Sequence, residues 1–234
     1  MCGRFTLIDG NRERVAAMLG VPAEQLVEED YRPRWNVAPT DSHWIVRMKH
    51  EDREALPAKW GLVQYGSKDA KRAASQINAR AETLDSRPAF RNAWRRSRRC
   101  VVPADGFYEW VGPKDARQPI WFHRPDNAIF FLAGLYESWQ PSPDIWQRTF
   151  TIITTTANSL IAPVHDRMPV LIRDEDVDEW LFQGNAPDAV TSLLAPAARD
   201  YLVATAVSSR VNSVRNDDPT CLEPSGIAIP GVVE

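Results

Sequence analysis

Cysteine is scarce in this chain of 234 residues: only Cys2, Cys100 and Cys221 are present. They are odd in number, widely spaced and form no C-x-x-C pair, which argues against a disulfide scaffold or a cysteine zinc site. A reduced, cytoplasmic protein is expected. Histidine is limited to His43, His50, His123 and His165, without metal-ligand spacing, so no metal and no other cofactor is expected. Every apolar run is too short to span a bilayer, and Met1-Cys2-Gly3-Arg4 leads into polar residues, so neither a membrane partner nor a secretion signal is expected. A strong charge of one sign is missing too. The net charge of -3 and pI near 5.9 exclude a generic basic nucleic-acid binder, so any such site must be a local basic patch. Repeats, low-complexity tracts and long linkers are absent.

What is there suffices for one sizeable core. Hydrophobic residues make up 44% of the chain, nine of them Trp, and one domain over residues 1–234 is expected. Val15, Met18 and Leu19 have helical spacing within Arg12–Leu19. Residues 31–40 contain two prolines and read as an extended, ordered loop. Segments rich in β-branched and aromatic residues predict strands over 43–48, 99–103, 107–111, 119–123, 129–139, 149–155 and 201–207. Asp174 can cap a helix running through Trp180, and Pro187 can open another through Leu194. Strands dominate without strict βαβ alternation, which predicts an α+β fold around a strongly curved, barrel-like mixed sheet with peripheral helices. Cys100, inside an apolar run, reads as a buried core thiol.

One stretch departs from the acidic average. Arg80, Arg87, Arg91, Arg95, Arg96, Arg98 and Arg99 stand against Glu82 and Asp85 alone. Phe90, Ala93 and Trp94 form a helical apolar face, with Arg87, Arg91, Arg95 and Arg98 on an adjoining stripe. Such a stripe is either a solvated helix face or a surface that tracks phosphates.

Cys2 carries the most specific chemistry. Initiator Met is normally removed before a small second residue, which would place a thiol and a free α-amine on adjacent carbons. An α-amine has an ordinary pKa of about 7.7–8.0, so a useful fraction is neutral and nucleophilic at cellular pH. It can form a Schiff base with an aldehyde. The thiol can then close a five-membered thiazolidine on the imine carbon. Three polar clusters could serve this reaction. Asn78 and Arg80 lie in the run Ser75–Thr83; the first could orient an amine or carbonyl, the second hold a phosphate. Glu109, in Ala104–Trp110, points away from Tyr108 and Trp110 and is either solvent-facing or an acid/base in a pocket. His165, in Ala162–Pro169, is either a structural histidine or a rigidly held acid/base. Residue types alone also admit a cysteine peptidase built on Cys2, His165 and Glu109, an N-terminal-nucleophile amidase, and a non-catalytic DNA-binding module.

Met-Cys-Gly-Arg-Phe at the start, Trp35–Thr40, Trp60–Leu62, Ile77–Thr83, Ala104–Trp110 and Val164–Pro169 occur in that order, and together they resemble the SRAP family of SOS-response-associated peptidases or abasic-site processing proteins. The resemblance runs from Cys2 to about Asn216. It implies covalent capture of abasic sites in single-stranded DNA and at single/double-strand junctions through a thiazolidine on Cys2. Asn78 would position cysteine and sugar, Glu109 would relay protons, and His165 would assist ring opening and reversal. Arg4, Arg80 and Arg167 would bind flanking phosphates, while Asn36 and Pro39 would shape the pocket. The same resemblance implies AP lyase and autoproteolytic activity, a monomer, and cytoplasmic location with association to the nucleoid on damage. The chain departs from the family pattern after Trp60-Gly61-Leu62: it runs Val63-Gln64-Tyr65-Gly66-Ser67 where the family carries Pro, a small residue and then Trp, so the aromatic that would stack on a base beside the lesion is missing or replaced by Tyr65 one step early. Aromatic stacking contributes about 1–3 kcal/mol per base, so weaker binding or an altered flanking-base preference is expected.

Overall fold

In the computed structural model, which describes residues 2–27, 29–113 and 115–229, β1 (Phe5–Leu7) leads into helix α1 (Arg12–Leu19) and β2 (Arg34–Val37). The expected removal of Met1 falls on a residue outside those described. The Asn11 side chain caps α1 by accepting from the Arg14 N–H at 2.8 Å, and Gly20 ends it in the left-handed conformation. Its inward residues are Val15, Ala16 and Leu19; Ala16 takes the place expected for Met18, which is exposed.

A long antiparallel pair follows, β3 (Ser42–Lys49) with β4 (Asp52–Trp60). After the short β5 (Asn78–Arg80) comes α2 (Pro88–Arg95), opened by Pro88 and burying Phe90, Ala93 and Trp94 as their spacing requires. Then come β6 (Arg99–Ala104), β7 (Gly106–Val111), β8 (Gln118–His123), β9 (Phe130–Ser142) and β10 (Ile145–Thr156). Two short strands, β11 (Arg167–Pro169) and β12 (Leu171–Ile172), precede α3 (Val177–Leu181), and β13 (Val203–Ala206) is last. Pro187–Leu194 coils as a 3-10 helix.

Five strands close on themselves. β10 pairs with β4, β4 with β3, β3 with β6, β6 with β9, and β9 returns to β10. The β4–β10 contact is parallel and the other four are antiparallel, so the ring is a closed mixed barrel. β5 and β11 extend β10, and β12 extends β9. A second, antiparallel sheet in the order β13-β8-β7-β1-β2 packs against this ring.

Alternation along the barrel strands sorts the side chains. Ile45, Cys100, Val102, Leu132, Phe150 and Ile152 join Phe5, Phe107 and Phe122 of the second sheet in one buried cluster. Val46, Val101, Ala133 and Leu135 point the other way and are covered by α1, α2 and α3. The α+β architecture with a barrel-like mixed sheet and peripheral helices is thus as expected. Among the described residues, no helix is long and apolar enough to cross a membrane.

The outer edge of β2 is occupied by the C-terminal segment rather than by a strand. Asp217 accepts from the backbone N–H groups of Trp35 and Asn36 at 2.7 and 3.0 Å and from Arg34 Nε at 2.5 Å.

Candidate reaction site at the barrel mouth

Cys2 belongs to the buried barrel cluster, and three interactions fix the strand that follows it. The Asp105 carboxylate accepts from Thr6 Oγ1 and from the Ile8 N–H, both at 2.5 Å, and Trp121 Nε1 donates to Thr6 Oγ1 at 3.2 Å. That indole fills the space over Gly106, where any Cβ would overlap it, so glycine is required there. Burial raises Asp105 to about 6.

Cys2 meets β5 through a single well-formed hydrogen bond: Asn78 Nδ2 donates to the Cys2 carbonyl at 2.7 Å. Asn78 Oδ1 is buried and has no hydrogen-bond partner among the described residues. It is an acceptor held ready beside the cysteine. Burial first, and the charge of Glu109 second, push the Cys2 thiol up. The thiol is therefore protonated at neutral pH and requires a proton acceptor to react.

Beside Cys2 opens a cleft of about 790 Å³ whose lining includes Gly3, Arg4, Pro39, Glu109, Trp110 and His165. Glu109 does not face solvent: the residue is only 3% exposed, and burial raises it to about 7. That value suits a group that both takes and returns protons near neutral pH. His165 sits on a turn fixed by Asn158, whose Oδ1 accepts from the N–H groups of Leu160 and Ile161, both at 3.1 Å. Its Nδ1 lies 2.9 Å from the Arg167 N–H and 2.9 Å from Asp166 Oδ1. These two contacts suit different protonation states. The neutral ring accepts from Arg167, whereas a ring protonated at Nδ1 donates to Asp166. Burial lowers His165 from its ordinary value, which favours the neutral ring, and the Asp166 charge opposes it.

The arginines fall into separate groups. Arg4 Nη1 donates to Asn36 Oδ1 at 2.8 Å and to the Val211 carbonyl at 2.9 Å, and its guanidinium lies 5.8 Å from the Trp110 ring centre. Asn36 is itself buried, and its Nδ2 donates to the carbonyls of Val211, Ser213 and Asn216. It stands behind Arg4 rather than on the cleft wall. Arg80 and Arg167 flank β10: Thr154 is opposite Arg80 on one side, and Thr156 is opposite Arg167 on the other. This register sets both on the face that runs inward to Ile152 and Phe150, at the barrel mouth. Arg80 is exposed and its guanidinium makes no hydrogen bond to another described residue.

The single stripe expected from Arg87 to Arg98 does not form. Helix α2 ends at Arg95, and Ser97 takes a left-handed φ of 49°, which turns the following residues away. Arg95 pairs with Asp85, Arg98 with Glu137, and Arg99 is fully buried, donating to the Trp180 and Phe182 carbonyls. Tyr65, beyond the Trp60-Gly61-Leu62 turn, is exposed and stacks on Trp146 from the β9–β10 hairpin at 6.1 Å. Trp146 and the cleft residues Arg117 and Asn212 carried no signal in the sequence, because hairpin tips and loop walls follow no periodicity. Among the described residues, no group of three His, Cys, Asp or Glu side chains is placed to hold a metal.

The α+β scaffold, a closed mixed barrel with a second sheet packed on it, thus holds a buried cysteine, an amide on its carbonyl and a carboxyl raised to about 7 close together. The chain belongs to the SOS response associated peptidase (SRAP) family, whose sequence model matches residues 1–214. It is 39% identical over 226 residues to the abasic site processing protein YoqW of Bacillus subtilis, covering 95% of this chain and 99% of that protein. It is 30% identical to the abasic site processing protein HMCES of Gallus gallus, covering 90% of this chain and 72% of that one. A crystal structure of a Bacteroides thetaiotaomicron protein superposes with a TM-score of 0.84 at 25% identity, over 96% of this chain and 100% of the other.

Proposed function

We propose that this protein processes abasic sites by capturing them covalently in single-stranded DNA through Cys2. The observation that carries the reading is the constellation at Cys2: the Asn78 amide on its carbonyl, and Glu109, buried and raised to about 7, lining the adjoining cleft. The names of the relatives support the lesion as substrate.

Once Met1 is removed, the Cys2 amine attacks the C1′ aldehyde of the ring-opened deoxyribose. The carbinolamine loses water to give an imine. The thiol then adds to the imine carbon, its proton passes to the nitrogen, and a thiazolidine closes. Glu109 accepts and returns the protons of these steps, which a carboxyl near neutrality can do in both directions. The imidazole of His165, on the same cleft, serves the opening of the sugar ring and its reversal. Arg4, Arg80 and Arg167 bind phosphates on either side of the lesion. Strand scission by elimination from the imine is open to the same Glu109.

The test is a denaturing gel of the protein incubated with a single-stranded oligonucleotide bearing one abasic site, with intact mass measured in parallel. A heat-stable shifted band, absent with Cys2→Ala and with undamaged oligonucleotide, is the expected result. Absence of the band from protein that begins at Cys2 overturns the reading in favour of peptide chemistry at the same cysteine.

A further inference from the structure

Arg167 is not open to an incoming anion. Its Nη1 and Nη2 donate to the two carboxylate oxygens of Glu82 at 2.6 and 2.9 Å, and Nη2 also donates to the Thr154 carbonyl at 2.7 Å. Nε is buried and has no hydrogen-bond partner among the described residues, so the Nη1 and Nη2 edge is the one that meets a partner anion, and Glu82 fills it. The Glu82 side chain is 51% exposed, whereas that of Arg167 is 11% exposed. The carboxylate is therefore the mobile partner and the guanidinium the fixed one, anchored from below by Thr154. Hydrogen bonding to Arg167 and the nearby Arg80 charge keep Glu82 below the usual carboxylate range and hence ionised.

We propose that Glu82 is a resident anion in a phosphate site: it occupies the Arg167 edge that a DNA phosphate takes and must swing out when the strand binds. This rests on the reading of Arg167 as a phosphate ligand. A carboxylate and a phosphate present the same paired oxygens to a guanidinium, so the two compete for one geometry. The competition lowers the affinity for every strand equally, damaged or not. A covalent bond then distinguishes them, because an undamaged strand dissociates while a lesion is retained. Glu82 in this way sets how strongly retention depends on the lesion.

The experiment measures dissociation constants of the full-length protein for an undamaged oligothymidylate, by anisotropy at fixed salt, for the parent, E82Q, R167Q and the double variant. Thermal melting accompanies each, and R167K is the second variant if R167Q melts early. Glutamine keeps the shape of Glu82 and removes the charge. E82Q is expected to tighten binding about fivefold, the scale of one exposed ion pair removed from competition. R167Q is expected to weaken it, and E82Q is expected to have no further effect in the R167Q background. Tightening of the same size in both backgrounds is a general charge effect and overturns the proposal, as does a weaker E82Q, which would make Glu82 an orienting partner. If R167Q leaves binding unchanged, the phosphate reading of Arg167 fails and the proposal with it; if R167Q weakens binding and E82Q does not tighten it, the displacement alone fails.

Discussion

The Asn78 side-chain amide donates to the carbonyl oxygen of Cys2 at 2.7 Å, joining positions 76 residues apart. The bond holds the start of the chain against β5, whose register on β10 is fixed by the pairs Asn78–Ile152 and Arg80–Thr154. The same strand thus carries the residue hydrogen-bonded to the cysteine and, two positions on, the exposed Arg80.

Asn78→Ala is expected to slow formation of the heat-stable adduct by on the order of 100-fold, because an ångström of freedom at a reacting group costs about that much. Asn78→Asp should be equally slow, since it keeps the size and loses the donor. Single-turnover gel kinetics on a single-stranded abasic oligonucleotide measure both. An Asn78→Asp variant as fast as the parent would remove the donor from the mechanism.

Glu109 makes stability depend on pH in a defined direction. Its folded value is about 7 against an ordinary 4.5, so its contribution is fully present below about 4.5 and is lost as pH rises through about 7. The size is about 3 kcal/mol by linkage. Asp105 acts in the same direction, so the informative quantity is the difference between parent and Glu109→Gln in urea unfolding. That difference should shift toward the variant by a few kcal/mol between pH 4.5 and pH 8. A constant difference would mean that Glu109 titrates alike in the folded and unfolded chain.

Salt should separate the arginines proposed to face DNA from those that hold the fold. Arg80→Ala is expected to lower the slope of log affinity against log salt by about 0.7, the value for one phosphate of a single strand. Arg95→Ala, whose guanidinium is already paired with Asp85, should leave the slope unchanged. Equal effects from both would return the whole basic stretch to the status of a solvated surface.

Arg99 is a structural cation. Its Nε and Nη2 donate to the carbonyls of Trp180, Phe182 and Asn185, closing the C-terminal end of α3. Arg99→Met is expected to cost about 3 kcal/mol in denaturant unfolding, because it leaves those buried carbonyls without donors. A loss below about 1 kcal/mol would mean that water replaces the guanidinium.

The long barrel strands were legible because β-branched and aromatic residues alternate along them, and helix α1 matched its expected bounds because Asn11 and Gly20 mark its ends. Strand β4 was not legible. Pro57 lies within it, and proline ordinarily argues against a strand interior. It is tolerated because β10 joins β4 only at Lys59 and Trp60, so at Pro57 that edge has no neighbouring strand that needs a donor. The strands β5, β11 and β12 span two or three residues, too few to show a period. Within the site, Cys2, Asn78, Glu109 and His165 could be picked out from residue type and family motif. Their environment could not, since the burial that raises Glu109 comes from distant segments folding over it.

The clasp of Asp217 on β2 also bears on how the molecule avoids its own copies. An uncovered strand edge offers a row of donors and acceptors to any other extended chain and is a route to aggregation. One carboxylate takes two consecutive β2 amides and anchors Arg34, and so blocks that edge without adding a strand. Asp217 lies three residues past the stretch matched by the family model. A chain trimmed at residue 214 would keep every barrel strand, yet present an adhesive β2 border and lose the Cys221 packing against Tyr108 and Trp121, so its sticking to its own copies and its loosened second sheet would arrive together.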